Sequence, residues 1–162
     1  MKDSSMAPSA GDTLRQAVER GAARLRGLSD EASRVHPAPG KWSPREVIGH
    51  LIDSASNNHG RFVRAQLADE MIFPGYEQDA WVTVQRYEDV PWEELIALWS
   101  GFNRHIAHVM DCSSDHERMR PRTRHNLHHI SFHPVDEHVP ATLDYFMRDY
   151  VEHLEHHLRQ IG

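Results

Sequence analysis

Residues 71 to 90 form a twenty-residue link between two segments with helical apolar spacing. Antiparallel neighbours in a bundle are usually joined by only about 2–8 residues, so a link this long can run the length of a bundle. It permits a crossover, and with it an up-down-down-up order of helices. The link carries turn chemistry at Pro74-Gly75, yet Met71, Phe73, Tyr76 and Trp81 predict that it packs against the rest of the chain.

The segment before the link has the sharpest start in the chain. Ser43-Pro44-Arg45-Glu46 offers a Ser N-cap, Pro at the first helical position and Glu at the third, which together form a capping box. Val47, Ile48, Leu51, Ile52, Ala55, Phe62, Val63 and Leu67 then recur at helical spacing, predicting a second helix that ends between Leu67 and Glu70. A first helix is expected from about Asp12, as N-cap, to Leu28. A third runs from about Pro91 to Met110, with Leu95, Leu98, Trp99, Phe102, Ile106, Val109 and Met110 as its core stripe. A fourth runs from about Thr142 to Ile161, and residues 111 to 139 read as polar and irregular. No run alternates convincingly at the strand period. The expected fold is an all-α four-helix bundle over residues 11–162, preceded by a disordered Ser/Ala/Pro-rich stretch at 1–10.

A formal charge of −6 argues against general affinity for nucleic acid or anionic membrane. No run approaches the ~20 apolar residues that cross a bilayer. The opening residues lack the apolar core of a secretory signal, and the single cysteine, Cys112, fits a reducing compartment, so a cytoplasmic location is expected.

Histidine is over-represented, with 14 in 162 residues, scattered from His36 to His157. In the last helix the wheel separates three of them. At about 100° per residue, His153 and His157 fall beside or within the stripe of Leu143, Phe146, Tyr150, Leu154 and Ile161, whereas His156 falls with Asp149 and Glu152. Imidazoles at i and i+4 stand one turn apart on one face and can reach a single ion. The alternative is a pair of core histidines hydrogen-bonded to backbone or hydroxyl groups.

A third ligand has three candidates: His50, His59 and His105. His50 lies six residues past Pro44, while His153 and His157 lie eight and four residues before Ile161. These depths match if the second and fourth helices are antiparallel, which the long link allows; His59 would then be roughly 13 Å too deep. Against this, His50 lies more than about 100° from the centre of its apolar arc, an edge position beside Asp53 and Asn57.

Trp42-Ser-Pro-Arg-Glu-Val-Ile-Gly-His50-Leu-Ile-Asp53-Ser54, with Asn57 and Arg61-Phe62, resembles the second-helix signature of DinB-like proteins of the YfiT branch. Tyr150-Val-Glu-His153-Leu-Glu-His156-His157-Leu resembles that branch's last helix, and Phe73-Pro-Gly-Tyr76-Glu-Gln-Asp-Ala-Trp81 its crossover. The resemblance covers about residues 40 to 161. It implies an up-down-down-up bundle with the crossover between helices 2 and 3, frequent homodimers, and one divalent metal ion held by His50, His153 and His157. It also implies metal-dependent hydrolases or S-transferases that use bacillithiol, mycothiol or glutathione.

Three neutral imidazoles leave an ion with net charge +2 and an open position, which suits zinc, nickel, iron or manganese. Such a site activates water for hydrolysis or a thiol for transfer to an electrophile. Thiol transfer is the favoured expectation, because the histidine motif carries no inward-facing Glu of the H-E-x-x-H kind to serve as base. Arg120, Arg122 and Arg124 lie in a cationic loop, within 116–138, that departs from the family pattern. They are candidates to hold the carboxylates of a low-molecular-weight thiol. The plainer reading pairs these arginines with Glu117, Asp136 and Glu137. Asp53 and Gln160, each three residues beyond a candidate ligand, could orient an imidazole. His105 reads as a core histidine and Cys112 as unreactive. The competing class is a non-catalytic bundle that buffers or senses metal.

Overall fold

The computed structural model describes residues 7–162, and every regular element in it is helical. The expected disorder at 1–10 falls, for residues 1–6, outside the described residues. Ser9 already caps α1 (Ala10–Arg26) by accepting the Asp12 N–H at 3.0 Å. The N-cap is therefore Ser9, and Asp12 sits in the first turn, where its charge complements the helix dipole.

The capping box at Ser43 forms as expected. Ser43 Oγ accepts the Glu46 N–H and Glu46 Oε2 accepts the Ser43 N–H at 2.7 Å, starting α2 (Pro44–Ala65). The link is not irregular throughout. It contains α3 (Gln78–Gln85) and a short 3-10 turn at Tyr87–Asp89 before α4 (Trp92–Cys112). Two small helices, α5 (Asp115–Met119) and α6 (Leu127–Ile130), lie within the segment expected to be irregular, and α7 (Leu143–Gln160) completes the bundle behind its Thr142 cap.

Cross-helix contacts fix the directions of the four long helices. Trp92 at the start of α4 donates its indole N–H to the Leu25 carbonyl at the end of α1, while Asp111 pairs with Arg15 at the opposite ends, so α1 and α4 are antiparallel. Arg24 reaches the Ile161 carbonyl at 2.6 Å and Arg148 reaches Pro8 at 3.2 Å, so α1 and α7 are parallel. Buried Arg45, near the start of α2, donates to the Val90 carbonyl just before α4, which makes α2 and α4 parallel. The Phe62 ring packs edge-on against Phe146 and Tyr150. The resulting order is up-down-down-up, with residues 66–91 crossing between α2 and α4.

Leu14, Val18, Ile48, Leu51, Phe62, Trp99, Ile106, Phe146 and Leu154 form one continuous core. Leu98, expected in that core, is 53% exposed because it lies at the margin of the stripe that Leu95, Trp99 and Ile106 bury. The crossover is seated on α2 at Gly49, where a Cβ would come within 2.1 Å of the Tyr87 ring. The Tyr87 hydroxyl lies 2.6 Å from Asp53 Oδ1, which also accepts from Gln85 at 2.7 Å. Asp53 therefore anchors the crossover instead of standing in water. Among the described residues, no helix is long and apolar enough to cross a membrane.

Candidate metal centre

Because α2 and α7 are antiparallel, the second turn of α2 lies beside the last two turns of α7. This brings His50, His153 and His157 together, with one ring nitrogen from each all within 4.8 Å of one another. His50 Nε2 and His153 Nε2 are 3.3 Å apart, and the His157 ring centroid is 4.6 Å from that of His50 and 4.5 Å from that of His153. His50 is 1% exposed, not the edge residue its wheel position suggests. The wheel considers only one buried face, whereas α2 is also covered by the crossover, by α7 and by Trp42, whose ring lies 4.9 Å from that of His50.

Burial, together with the neighbouring imidazole of His157, pushes His50 down to about 4. Burial and the other histidines push His153 down to about 3. Burial also lowers His157, partly opposed by its hydrogen bond to Gln160. All three rings are thus neutral near pH 7, the state in which imidazole binds metal. His157 Nδ1 donates to Gln160 Oε1 at 2.9 Å, leaving Nε2 as its free lone pair. Gln160 Nε2 lies 3.3 Å from a ring nitrogen of His156, so His156, half-buried beside Phe132, orients the amide that orients His157.

The donor set fits a small divalent ion. The 3.3 Å between His50 Nε2 and His153 Nε2 suits an Nε2–H···Nε2 hydrogen bond in one tautomer, and with both protons on Nδ1 it turns two lone pairs toward a shared cation. A tetrahedral ion with metal–nitrogen bonds of about 2.0–2.1 Å spaces its ligands by about 3.3–3.4 Å. Buried His50 Nδ1 has no partner, as has Asp53 Oδ2 one turn along the same helix.

A cleft of about 360 Å³ opens from His50 and His153. One face of α2 lines it with His50, Ser54, Asn58 and Arg61, at spacings of 4, 4 and 3 residues. Tyr76 from the crossover, Asp149 from α7 and the segment His129–Phe132 close the other sides. Burial pushes Tyr76 up to about 12, opposed by the Arg61 charge. Asp149 is raised by burial, although its two oxygens accept the backbone N–H groups of Phe132 and His133, each at 2.7 Å.

The cationic loop folds over the bundle, but its arginines are committed elsewhere. Arg120 pairs with Glu117 and Asp69, Arg122 with Glu117, and Arg124 with Glu70; none of the three lines the cleft. Arg122 is in fact buried, held where Arg122 and Ala141 exchange backbone hydrogen bonds. The loop contributes its α6 end to the cleft instead. Arg61 is the cation that lines it; in the sequence it stood within the second-helix signature with no role assigned. The signal was present: His50, Ser54, Asn58 and Arg61 recur at spacings of 4, 4 and 3, which puts these polar residues on one face of the helix.

The remaining histidine candidates lie elsewhere. His59 packs against Phe102 and His105, and His105 is exposed instead of buried in the core. Cys112 is exposed at the opposite end of the bundle, next to His108.

The comparisons agree with this architecture. The fold aligns with YfiT from Bacillus subtilis, described as a probable metal-dependent hydrolase with an unusual four-helix bundle topology. The TM-score is 0.72, over 99% of this chain and 89% of that one, at 22% identity. A stretch of 79 residues is 28% identical to a protein of Oceanobacillus iheyensis named for metal-dependent hydrolysis. That match spans 49% of this chain and 45% of the relative, less than half of its length. The sequence profile of the DinB superfamily matches residues 13–161. With nearly the whole chain inside that match, this protein belongs to the DinB superfamily.

Proposed function

We propose that this chain is a divalent-metal-dependent enzyme, with the ion held by His50, His153 and His157 and a small-molecule substrate bound in the adjoining cleft. The convergence of one ring nitrogen from each of three neutral histidines, all within 4.8 Å of one another, carries this reading, because it matches three corners of a metal coordination sphere with a position left open. When bound, the ion supplies Lewis acidity that ionises a water or a thiol near neutral pH. The protein's own part is to keep the three rings neutral, to fix His157 through Gln160, and to wall the site with Trp42 and Phe132.

Thiol transfer is the reaction we favour. Hydrolysis benefits from a free carboxylate base, and the acids near the histidines on their helices already have partners: Glu152 pairs with His133 and Glu155 with Arg20. Asp53 accepts from Tyr87 and Gln85, and Asp149 accepts from two backbone amides. Hydrolysis is the second reading, favoured by the descriptions of both relatives.

The two are separated with cobalt-substituted protein. Titration with bacillithiol, mycothiol or glutathione is expected to produce a sulfur-to-metal charge-transfer band. Absence of a band with all three thiols, together with ester or amide hydrolysis by the same sample, would establish the hydrolase. Loss of both signals despite full metal content would leave a binding module.

A further inference from the structure

The chain buries three arginines: Arg45 at 0%, Arg61 at 5% and Arg122 at 2% exposure. Two are neutralised within the fold, Arg45 by Asp30 and Arg122 by Glu117. Among the described residues no carboxylate pairs with Arg61. Its Nη2 donates to the Pro74 carbonyl at 2.8 Å and its Nη1 to Asn58 Oδ1 at a long 3.4 Å, which leaves most of its five donors unused. Burial pushes its pKa down, but a guanidinium remains charged at any physiological pH. An uncompensated buried charge is among the costliest features a fold can carry, so a counter-charge is expected from outside the chain.

Arg61 lines the same cleft as His50 and His153, with the Tyr76 phenol and the Ser54 hydroxyl between them. We propose that this cleft binds a substrate through an oxyanion, a carboxylate or a phosphate ester, seated on Arg61 while the reacting end of the same molecule lies at the three histidines. This rests on the metal-dependent reading above and names the substrate class of that site. Eleven residues of α2, or about 16 Å of helix rise, separate His50 from Arg61. The Arg61 side chain can recover part of that distance, so the anion and the reacting atom are separated by several bonds. A small ion cannot bridge them. Asn58 and Ser54, one and two turns back toward His50, offer amide and hydroxyl contacts along the way.

The test is calorimetric titration of the purified protein with glutarate and with phenyl phosphate, each beside a neutral counterpart, glutaramide and phenol. At least one anion is expected to bind while its counterpart does not; which one binds distinguishes carboxylate from phosphate. Arg61→Gln should weaken that binding at least tenfold, Arg61→Lys should weaken it less, and Arg64→Gln, at an exposed position, should leave it unchanged. His153→Ala is the arm that separates the two proposals. Binding that survives His153→Ala and falls with Arg61→Gln supports the anion subsite, whatever becomes of the metal. Binding lost in His153→Ala but intact in Arg61→Gln would put the anion on the ion and overturn the subsite while sparing the metal site. Equal binding of the neutral counterparts, or no binding of either anion to the wild type at 10 mM (about 3 kcal/mol on the 1 M scale), would also overturn it. If Arg61→Gln fails to fold, the charged and neutral probes compared on His153→Ala decide the matter: anion binding that persists there supports the subsite, and its loss there overturns it.

Discussion

The ring of Tyr87 lies where a side chain at Gly49 would be, with Tyr87 Cδ2 only 2.1 Å from the Cβ position. Gly49 is thus the contact point between the crossover and the helix that carries His50, its immediate neighbour. Gly49→Ala must move the ring or the helix, and overpacking of this kind destabilises by about 1–3 kcal/mol. Urea unfolding of the variant should show a lower midpoint, and its metal affinity should fall with it. An unchanged midpoint would mean that the crossover yields freely and does not position His50.

The three histidines should behave as a unit. His50→Ala, His153→Ala and His157→Ala are each expected to lose stoichiometric metal, whereas His59→Ala and His156→Ala retain it. Gln160→Ala should weaken binding by about tenfold, because His157 then loses the acceptor that fixes its tautomer. Elemental analysis of the six purified variants decides this, and full metal content in His50→Ala would transfer the third ligand to another residue.

Glu117 links stability to pH. Its carboxylate accepts from Arg120 and Arg122, each at 3.0 Å, and the Arg120 hydrogen bond leads the effects that hold its pKa below the usual 4.5. A depressed folded-state pKa means the stabilisation is present above 4.5 and disappears as pH falls through the folded value. Glu117→Gln should therefore lower the urea midpoint at pH 7, with the gap from wild type narrowing between pH 5 and pH 3. A gap independent of pH would mean that packing, not charge, makes the difference.

Asp149 tethers the wall of the cleft through the Phe132 and His133 amides. Asp149→Ala should speed hydrogen exchange at those two amides at least tenfold while leaving the α2 core amides unchanged. Uniform acceleration across the chain would show global destabilisation instead of a local tether.

The sequence made some of this site legible and hid the rest for identifiable reasons. His153 and His157 could be read because both lie on the apolar face of a helix at i, i+4, a purely local pattern. The link between the second and third helices announced the up-down-down-up order, since length alone permits a crossover. His50 looked peripheral because its burial comes from Trp42, the crossover and α7, none of which a single-helix wheel can represent. For Arg120, Arg122 and Arg124 the sequence offered Glu117 as a partner, but Asp69 and Glu70 come within reach only when the loop folds back on the end of α2. Arg61 showed the opposite case: it stood in the second-helix signature without a role, because its lack of a paired carboxylate among the described residues is visible only in three dimensions. The eight-residue α3 escaped because Val84 and Thr83 favour extended backbone and only Val82 is buried.

Asp149, His153 and His157 all project from α7, within nine consecutive residues of one continuous helix. A helix that short turns and slides as a rigid rod, so the loop it tethers and the nitrogens it presents cannot be adjusted separately. Widening the entrance to admit a bulkier molecule by shifting α7 would also pull two of the three rings away from His50. Access and grip therefore trade against each other along a single mechanical coordinate. Chains built on this plan would be expected to change what they admit by substitutions on α2, on the crossover and in the 129–133 segment, leaving the last helix as the fixed jaw.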